Sequence, residues 1–531
     1  MKKTIKMLSL LLALTMMVGM LAACGTDTTK PTGSETETAG TAYGDGVLAV
    51  GVRNLFSSTS CFRTNDNRDA QVMHIMYEQL GIFDSEGVLQ PWVAKSWVTN
   101  DGGFTYDVEI YDYVTDSKGN KITADDIIWN IEENIKRAMK PCFNKIESVE
   151  KTGDFTFRIK MSSDMVGAFE AILSDVFVVS KVAFEASPNE FADNIVSTSA
   201  YTMTEYTAGS TISFEKRSDY WQKDESLIPD LVRPKVEKIS FTTIPEASQM
   251  GAALETGKID IALSMDITAA IQYVNNEKFV NEQFPDNQGW QLFFSGGANS
   301  PVANDVKLRQ AICYAIDADG LVTGLCQGYG TQMWDVCSPL YIGYNPEWEK
   351  EDYYTQDLDK AQQLVAESDY NGQELTILCH SATFNSRLAT MIQAYCGEIG
   401  VKVKINALDS AAVSAIRFDG TKYDMFINTI GGTYCPDHWS IRYDPNAYAG
   451  GDATSRRDTT LGELLYKTWT VSGYTTENIN AVHEYIRDNA IAYGLLNPTV
   501  FNVWNTNLNV TDKVLYANGG MAIQSSTYTA Y

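Results

Sequence analysis

Between residues 374 and 432 the chain alternates in a way that leaves few folds open. "ELTILCH" (374–380) reads as a buried strand, "SRLATMIQAYCGEIG" (386–400) as an amphipathic helix closed by glycine, and "VKVKINALD" (401–409) as a second strand. A third strand follows in "YDMFINTIGG" (423–432). Such a β-α-β order predicts an α/β fold with a parallel or mixed sheet and helices on its faces. In sheets of this kind ligands collect beyond the carboxyl ends of the strands. The stretch "TYCPDHW" (433–439) leaves one of those ends, which makes it the first place to look for a site.

The chain's 531 residues exceed what one hydrophobic core holds, so at least two domains are expected. Its net charge of −26 repels nucleic acid and anionic membranes, and excludes nucleic acid as a partner. At the N-terminus Lys2, Lys3 and Lys6 precede an apolar run from Met7 to Met20, the order of a secretory signal peptide over residues 1–23. That run is shorter than the roughly 20 apolar residues of a membrane-spanning helix. Leu21-Ala22-Ala23-Cys24 resembles the bacterial lipobox, whose cysteine is lipidated after cleavage. Residues 25–42 hold no aliphatic side chain larger than alanine, so residues 24–42 read as a lipidated cysteine on a flexible linker. Cys24 is thus the expected lipid attachment site.

In the body, "DNRDAQVMHIMYEQL" (66–80) aligns Met73, Met76, Tyr77 and Leu80 on one helical face, with His74 beside the stripe as a packed residue. "GIFDSEGVLQPW" (81–92) predicts a hairpin, and "FTYDVEIYDY" (104–113) a strand. Thr123 and Asp126 form a capping pattern before a helix. Eight cysteines follow Cys24 without any C-x-x-C pair; Cys326 and Cys337 are spaced for a bridge, and buried thiols are the alternative.

Residues 76–135 resemble the family 5 extracellular solute-binding proteins, the oligopeptide- and dipeptide-binding group of ABC importers. The frame is Tyr77-Glu78-x-Leu80, Pro91-Trp92-x-Ala94-x-Ser96-Trp97, Asp101-Gly102-Gly103-x-Thr105-Tyr106 and Thr123-Ala124-x-Asp126. Further likeness runs through "STSAYTMTEYTAGSTISFEKRSDYW" (197–221), where Ser197, Ser199 and Ala200 replace two glycines and a proline, and through "VKLRQAICYAID" (306–317). The resemblance implies a two-lobed periplasmic-binding-protein-like fold, type II, of the large peptide-binding subclass, with mixed sheets and two hinge crossings. It places lobe I at 43–291, with an extra subdomain at about 62–190, lobe II at 292–497, and a return to lobe I at 498–531. The crossings are expected near "WQLFFSGG" (290–297) and "NPTVFNVWN" (497–505).

Cys435, Asp437 and His438 admit three readings. A metal site needs another ligand, such as His380, and Pro436 restricts how the donors converge. A secreted Cys- or metal-dependent hydrolase centred on Cys435 and His438 is a second. A pocket wall without chemistry is the third, and it agrees with the absence of a Gly-rich phosphate loop, His-Glu-x-x-His or Gly-x-Ser-x-Gly. In the resembling family the first aspartate of this stretch pairs with a peptide's α-ammonium; here Tyr434 stands at that position, and Asp437 matches the second acid. Tyrosine supplies a π-face and a hydroxyl. The expected ligand-binding residues are Arg53, Ser57 and Thr59, in the loop after the first strand, together with Tyr434, Asp437 and Trp439. Arg53 is suited to a bidentate carboxylate contact.

These readings predict a non-enzymatic, monomeric, lipid-anchored extracytoplasmic receptor without metal or cofactor. Its partners are a peptide or other small solute, such as an oligosaccharide, and the permease and ATPase of an ABC importer.

Overall fold

The computed structural model describes residues 43, 46–62, 70–341, 343–431, 443–444 and 458–530. The signal peptide, Cys24, the linker, and Tyr434, Cys435, Asp437, His438 and Trp439 lie outside the described residues. The described body belongs to one compact unit. None of its helices is long and apolar enough to cross a membrane.

A sheet of twelve described strands carries the molecule. In chain order they are β1 (Leu48–Val52), β2 (Tyr201–Thr207), β3 (Thr211–Lys216), β4 (Lys238–Thr243), β5 (Ile261–Met265), β6 (Phe279–Pro285), β7 (Gln288–Phe294), β8 (Gly330–Gln332), β9 (Leu375–His380), β10 (Val403–Leu408), β11 (Met425–Gly431) and β12 (Ala492–Asn505). The order is β10-β9-β11-β7-β12-β5-β1-β4-β3-β2, with β6 and β8 also paired to β12. The predicted β-α-β unit is present: β9 runs parallel to β10 and β11, and the helix Thr383–Glu398 links β9 to β10. Leu388, Ala389, Ile392 and Cys396 of that helix are buried, the stripe its 3.6-residue period requires.

β12 divides the sheet in two. Its first half pairs with β7 and β8, placing Trp290 opposite Leu496 and Thr331 opposite Asn497. Its second half pairs with β6 and β5, placing Phe284 opposite Val500 and Ala262 opposite Val503. The chain therefore crosses between the half-sheets at Asp286–Asn287, just ahead of the "WQLFF" run, and again within β12. "WQLFF" is apolar because β7 is an interior strand of the second half, flanked by β11 and β12. In the first half β1 lies parallel to both β4 and β5.

A separate four-stranded antiparallel sheet is made by Ala94–Thr99, Thr105–Ile110, Thr156–Met161 and Ile146–Gly153, in that order. The hairpin Gly81–Phe83 with Leu89–Pro91 forms as its turn residues predict, with Gly87 at φ +76°. Thr123 and Asp126 make the capping box of the helix Ala124–Lys136, and the Thr123 amide donates to Asp126 Oδ2 at 3.0 Å. The helix read over 66–80 is described at Ala70–Met76; Tyr77 and Leu80 stay fully buried beyond its end.

The residues that carry the family likeness form a clamp. Glu78, 1% exposed, accepts Trp92 Nε1 at 3.1 Å, Trp221 Nε1 at 2.7 Å and the Tyr220 hydroxyl. Three segments distant in sequence are tied to one carboxylate. The motif is thereby structural and does not itself make a ligand site.

Cys326 is a buried free thiol, so the suggested bridge to Cys337 is not made. The Cys337 thiol lies instead 3.3 Å from Asp335 Oδ2.

Candidate ligand-binding seam

Parallel strands β1 and β5 end side by side, and the residue after each is charged. Arg53 follows β1 and Asp266 follows β5, with a guanidinium nitrogen 3.8 Å from Asp266 Oδ2. That spacing is an ion pair without a hydrogen bond. Asp266 Oδ1 is committed to the turn it starts, accepting the Thr268 amide at 3.0 Å and hydroxyl at 2.7 Å. The Arg53 side chain is 53% exposed, so its donors face solvent.

The crossing between the half-sheets adds a second carboxylate. Asp286 is fixed through its main chain: its amide donates to the Pro498 carbonyl at 2.9 Å, and its carbonyl accepts Asn497 Nδ2 at 2.9 Å. Its carboxylate Oδ1 accepts the Gln288 amide at 3.0 Å. Burial raises the Asp286 carboxyl above its ordinary value, partly offset by neighbouring backbone amides and by the field of Arg53.

On the other half-sheet, Gln288 Oε1 accepts the Thr429 hydroxyl at 2.9 Å, and Trp290 lies opposite Thr429 in the β7–β11 register. The Trp290 and Phe384 rings are 4.9 Å apart between centroids. β11 ends at Gly431, opposite Gln288, where an added Cβ would lie 3.8 Å from the Asn287 carbonyl. The chain thus enters the stretch containing Tyr434, Asp437 and Trp439 from beside the crossing.

The predicted residues of the first loop separate. Arg53 and Ser57 are exposed. Thr59 has no exposed surface: its hydroxyl donates to the Phe191 carbonyl at 2.5 Å and its amide to the Ala192 carbonyl at 3.0 Å. Its own carbonyl accepts the Tyr77 hydroxyl at 2.9 Å. Thr59 anchors the loop and does not present a ligand contact, a correction to its expected role. His380 sits at the end of β9 with Nδ1 3.4 Å from the Ser410 hydroxyl. Among the described residues no group of three or more His, Cys, Asp or Glu side chains is arranged to hold a metal.

Asp266, Asp286, Gln288 and Trp290 escaped the sequence reading. Their available signals were positional: an acid directly after a buried strand, and the Asp286-Asn287 turn between two strands.

Residues 88–449 match the family model for bacterial extracellular solute-binding proteins, family 5 Middle. The glutathione-binding protein GsiB of Pectobacterium atrosepticum is 24% identical over 386 residues, 70% of each chain. The oligopeptide-binding protein AppA of Bacillus subtilis is 23% identical over 467 residues, 83% of each chain. Its structure in complex with a nonapeptide superposes with a TM-score of 0.74 at 18% identity, covering 91% of this chain and 99% of that one. The ABC transporter substrate-binding protein CtaP of Listeria monocytogenes has the same fold, with a TM-score of 0.76 at 20% identity and coverage of 91% and 99%.

Proposed function

Because the chain belongs to the family 5 bacterial extracellular solute-binding proteins, a family of transport receptors, we propose that it captures peptides for an ABC importer. The ligand enters between two lobes, one on each half-sheet, that join at Asp286–Asn287 and within β12. Lobe I comprises residues 43–286 and 498–531, and lobe II residues 287–497, a first boundary a few residues earlier than the expected 291 because β7 pairs within the second half-sheet; Cys24 holds the receptor to the outer face of the membrane through a lipid. Arg53 and Ser57 from the first lobe, and Tyr434, Asp437 and Trp439 leaving β11, line the cleft. The receptor acts as a monomer and performs no covalent chemistry.

The observation that carries this reading is the family match over residues 88–449, which takes in strands of both half-sheets. It is supported by relatives named for binding glutathione and oligopeptides along 70% and 83% of their lengths. Closure follows from population shift: a solute touching both lobes binds the closed state better, and the permease reads that state.

The full chain, purified from membranes, is incubated with a library of di- to pentapeptides and with an oligosaccharide mixture, and retained molecules are identified by mass spectrometry. Intact peptides retained at one per protein, with a higher melting temperature, are the expected result. Retention of sugars alone overturns the peptide reading. Cleaved peptides, lost in Cys435→Ala, overturn the receptor reading. Lipid labelling that persists in Cys24→Ser overturns the anchor.

A further inference from the structure

The two lobes also touch through segments that belong to neither crossing. Met165 and Val166 lie in the first lobe, between the strand Thr156–Met161 of the four-stranded sheet and the helix Ala168–Asp175. They meet the C-terminal end of the helix Thr459–Trp469, whose Leu461 and Leu465 are buried in one cluster with Phe293, Phe426 and Val482 of the second lobe. Met165 and Thr470 form an isolated antiparallel bridge, and the Val166 amide donates to the Trp469 carbonyl at 2.8 Å. From the first lobe the Lys145 ammonium lies 4.9 Å from the centre of the Trp469 ring.

The contact suits the chemistry of a helix end. The last carbonyls of a helix have no partner within it, and the one on Trp469 accepts an amide of the opposite lobe. A lysine placed there, over an indole face, is favoured by both the helix dipole and the ring quadrupole. The Trp469 side chain packs against the hydrophobic core of the first lobe, although its helix is seated in the second. Tyr466 orients the ring from its own side, edge to face at 4.7 Å, and its hydroxyl donates to Asp444 at 2.6 Å. The contact also carries a cost, because the Trp469 Nε1–H is buried without a hydrogen-bond partner among the described residues. Separation of the lobes returns that N–H to water, which keeps the link reversible.

On the reading of this chain as a two-lobed receptor, we infer that Met165, Val166, Trp469 and Thr470 form a latch between the lobes, made when they close and broken when they part. The latch consists of the chain's own groups, so it populates the closed state independently of the solute. A solute then needs less differential affinity to complete the shift. Apparent affinity scales with the fraction of receptor in the competent state, so weakening the latch lowers affinity for every solute alike. That uniform loss distinguishes the latch from a residue that touches the ligand.

The test uses the full chain in two arms. In the first, hydrogen exchange is followed by mass spectrometry of the segment containing Val166. Trp469→Ala is expected to speed exchange there roughly tenfold while segments from β1 and β9 keep their wild-type rates. An unchanged rate at Val166 in a Trp469→Ala protein shown to be folded by its melting curve overturns the latch. In the second arm, Met165→Cys/Thr470→Cys places two thiols at the bridge, while the described native cysteines are buried. This variant is oxidised with diamide before or after incubation with a library of di- to pentapeptides. Cross-linked beforehand, it takes up no peptide; cross-linked afterwards, it keeps its peptides through dialysis, and reduction reverses both results. A pair that does not cross-link contradicts the bridge. Equal uptake by the cross-linked and reduced forms overturns the latch and leaves the peptide receptor standing. If wild type retains no peptide, the peptide reading falls, and the exchange rate at Val166 still decides the latch.

Discussion

Glu78 makes the stability of the protein depend on pH in an unusual direction. Most native carboxylates titrate below their unfolded value and stabilise the fold as pH rises. Burial instead raises the Glu78 carboxyl to about 7, although Tyr220, Trp221, Thr198 and Trp92 favour its ionised form. An unfolded glutamate titrates near 4.3. Between those values the native state binds more protons than the unfolded state, so the contribution of Glu78 falls as pH rises. Integrated from pH 4.5 to 7.5, the loss is about 3 kcal/mol at 1.36 kcal/mol per pH unit. Glu78→Gln removes the titration and keeps the shape. Urea unfolding of both proteins across that range isolates the residue, because every other group contributes equally to both. The stability of wild type relative to Glu78→Gln is expected to decline by about 3 kcal/mol from pH 4.5 to 7.5. A flat or rising difference would refute the reasoning, showing that two indoles and a phenol hold the carboxylate ionised despite its burial.

Arg53→Ala is expected to lower affinity for free-carboxylate peptides at least tenfold by calorimetry, with an unchanged melting temperature, since the side chain is 53% exposed and only loosely paired. Gly494→Ala places a Cβ 2.1 Å from the Asp335 carbonyl oxygen, a backbone atom that cannot rotate away; a loss of about 1–3 kcal/mol in chemical denaturation is expected, and wild-type stability would contradict that contact. For His483, burial lowers the imidazole pKa, but Asp335 at 3.2 Å and Glu351 at 3.4 Å outweigh it and leave the value raised above 6.5. Its stabilisation is therefore complete below about pH 6.5 and is lost as pH rises through the folded value. Melting curves of wild type and His483→Gln should converge toward high pH, and parallel curves would remove the charged imidazole from the account.

What could be read from the sequence was set by distance along the chain. The strand-helix-strand unit at 375–408 is visible because its periodicity lies within each element. The Thr123–Asp126 box is visible because both partners sit in one turn. Thr59 looked like a solvent-facing polar residue; its burial comes from Phe191 and Ala192, more than a hundred positions away. Glu78 stood out as a motif letter, but its role requires Trp92, Tyr220 and Trp221 to meet at one carboxylate. The seam was hidden for the same reason. Arg53 and Asp266 are brought together by the parallel pairing of β1 and β5, and Asp286 is placed at the crossing by β6 and β12; no local pattern specifies that pairing.

The seam also limits what any one residue there can do. β12 is shared by both half-sheets, and the Asp286–Pro498 and Asp286–Asn497 hydrogen bonds bind the two crossings to each other. On the receptor reading, a closing motion of the halves would pivot at these tied crossings, so a group bound beside them would be displaced little between open and closed states. Its contact contributes affinity to both states and discriminates weakly between them. Converting a population from 1:99 to 99:1 requires about 5.5 kcal/mol of differential binding, whereas a hydrogen bond to a charged group contributes about 1.5–3 kcal/mol. Closure must then draw on contacts farther from the pivot that form only when the halves approach, with Ser57 on one side and Trp290 or Phe384 on the other as the exposed or partly buried candidates.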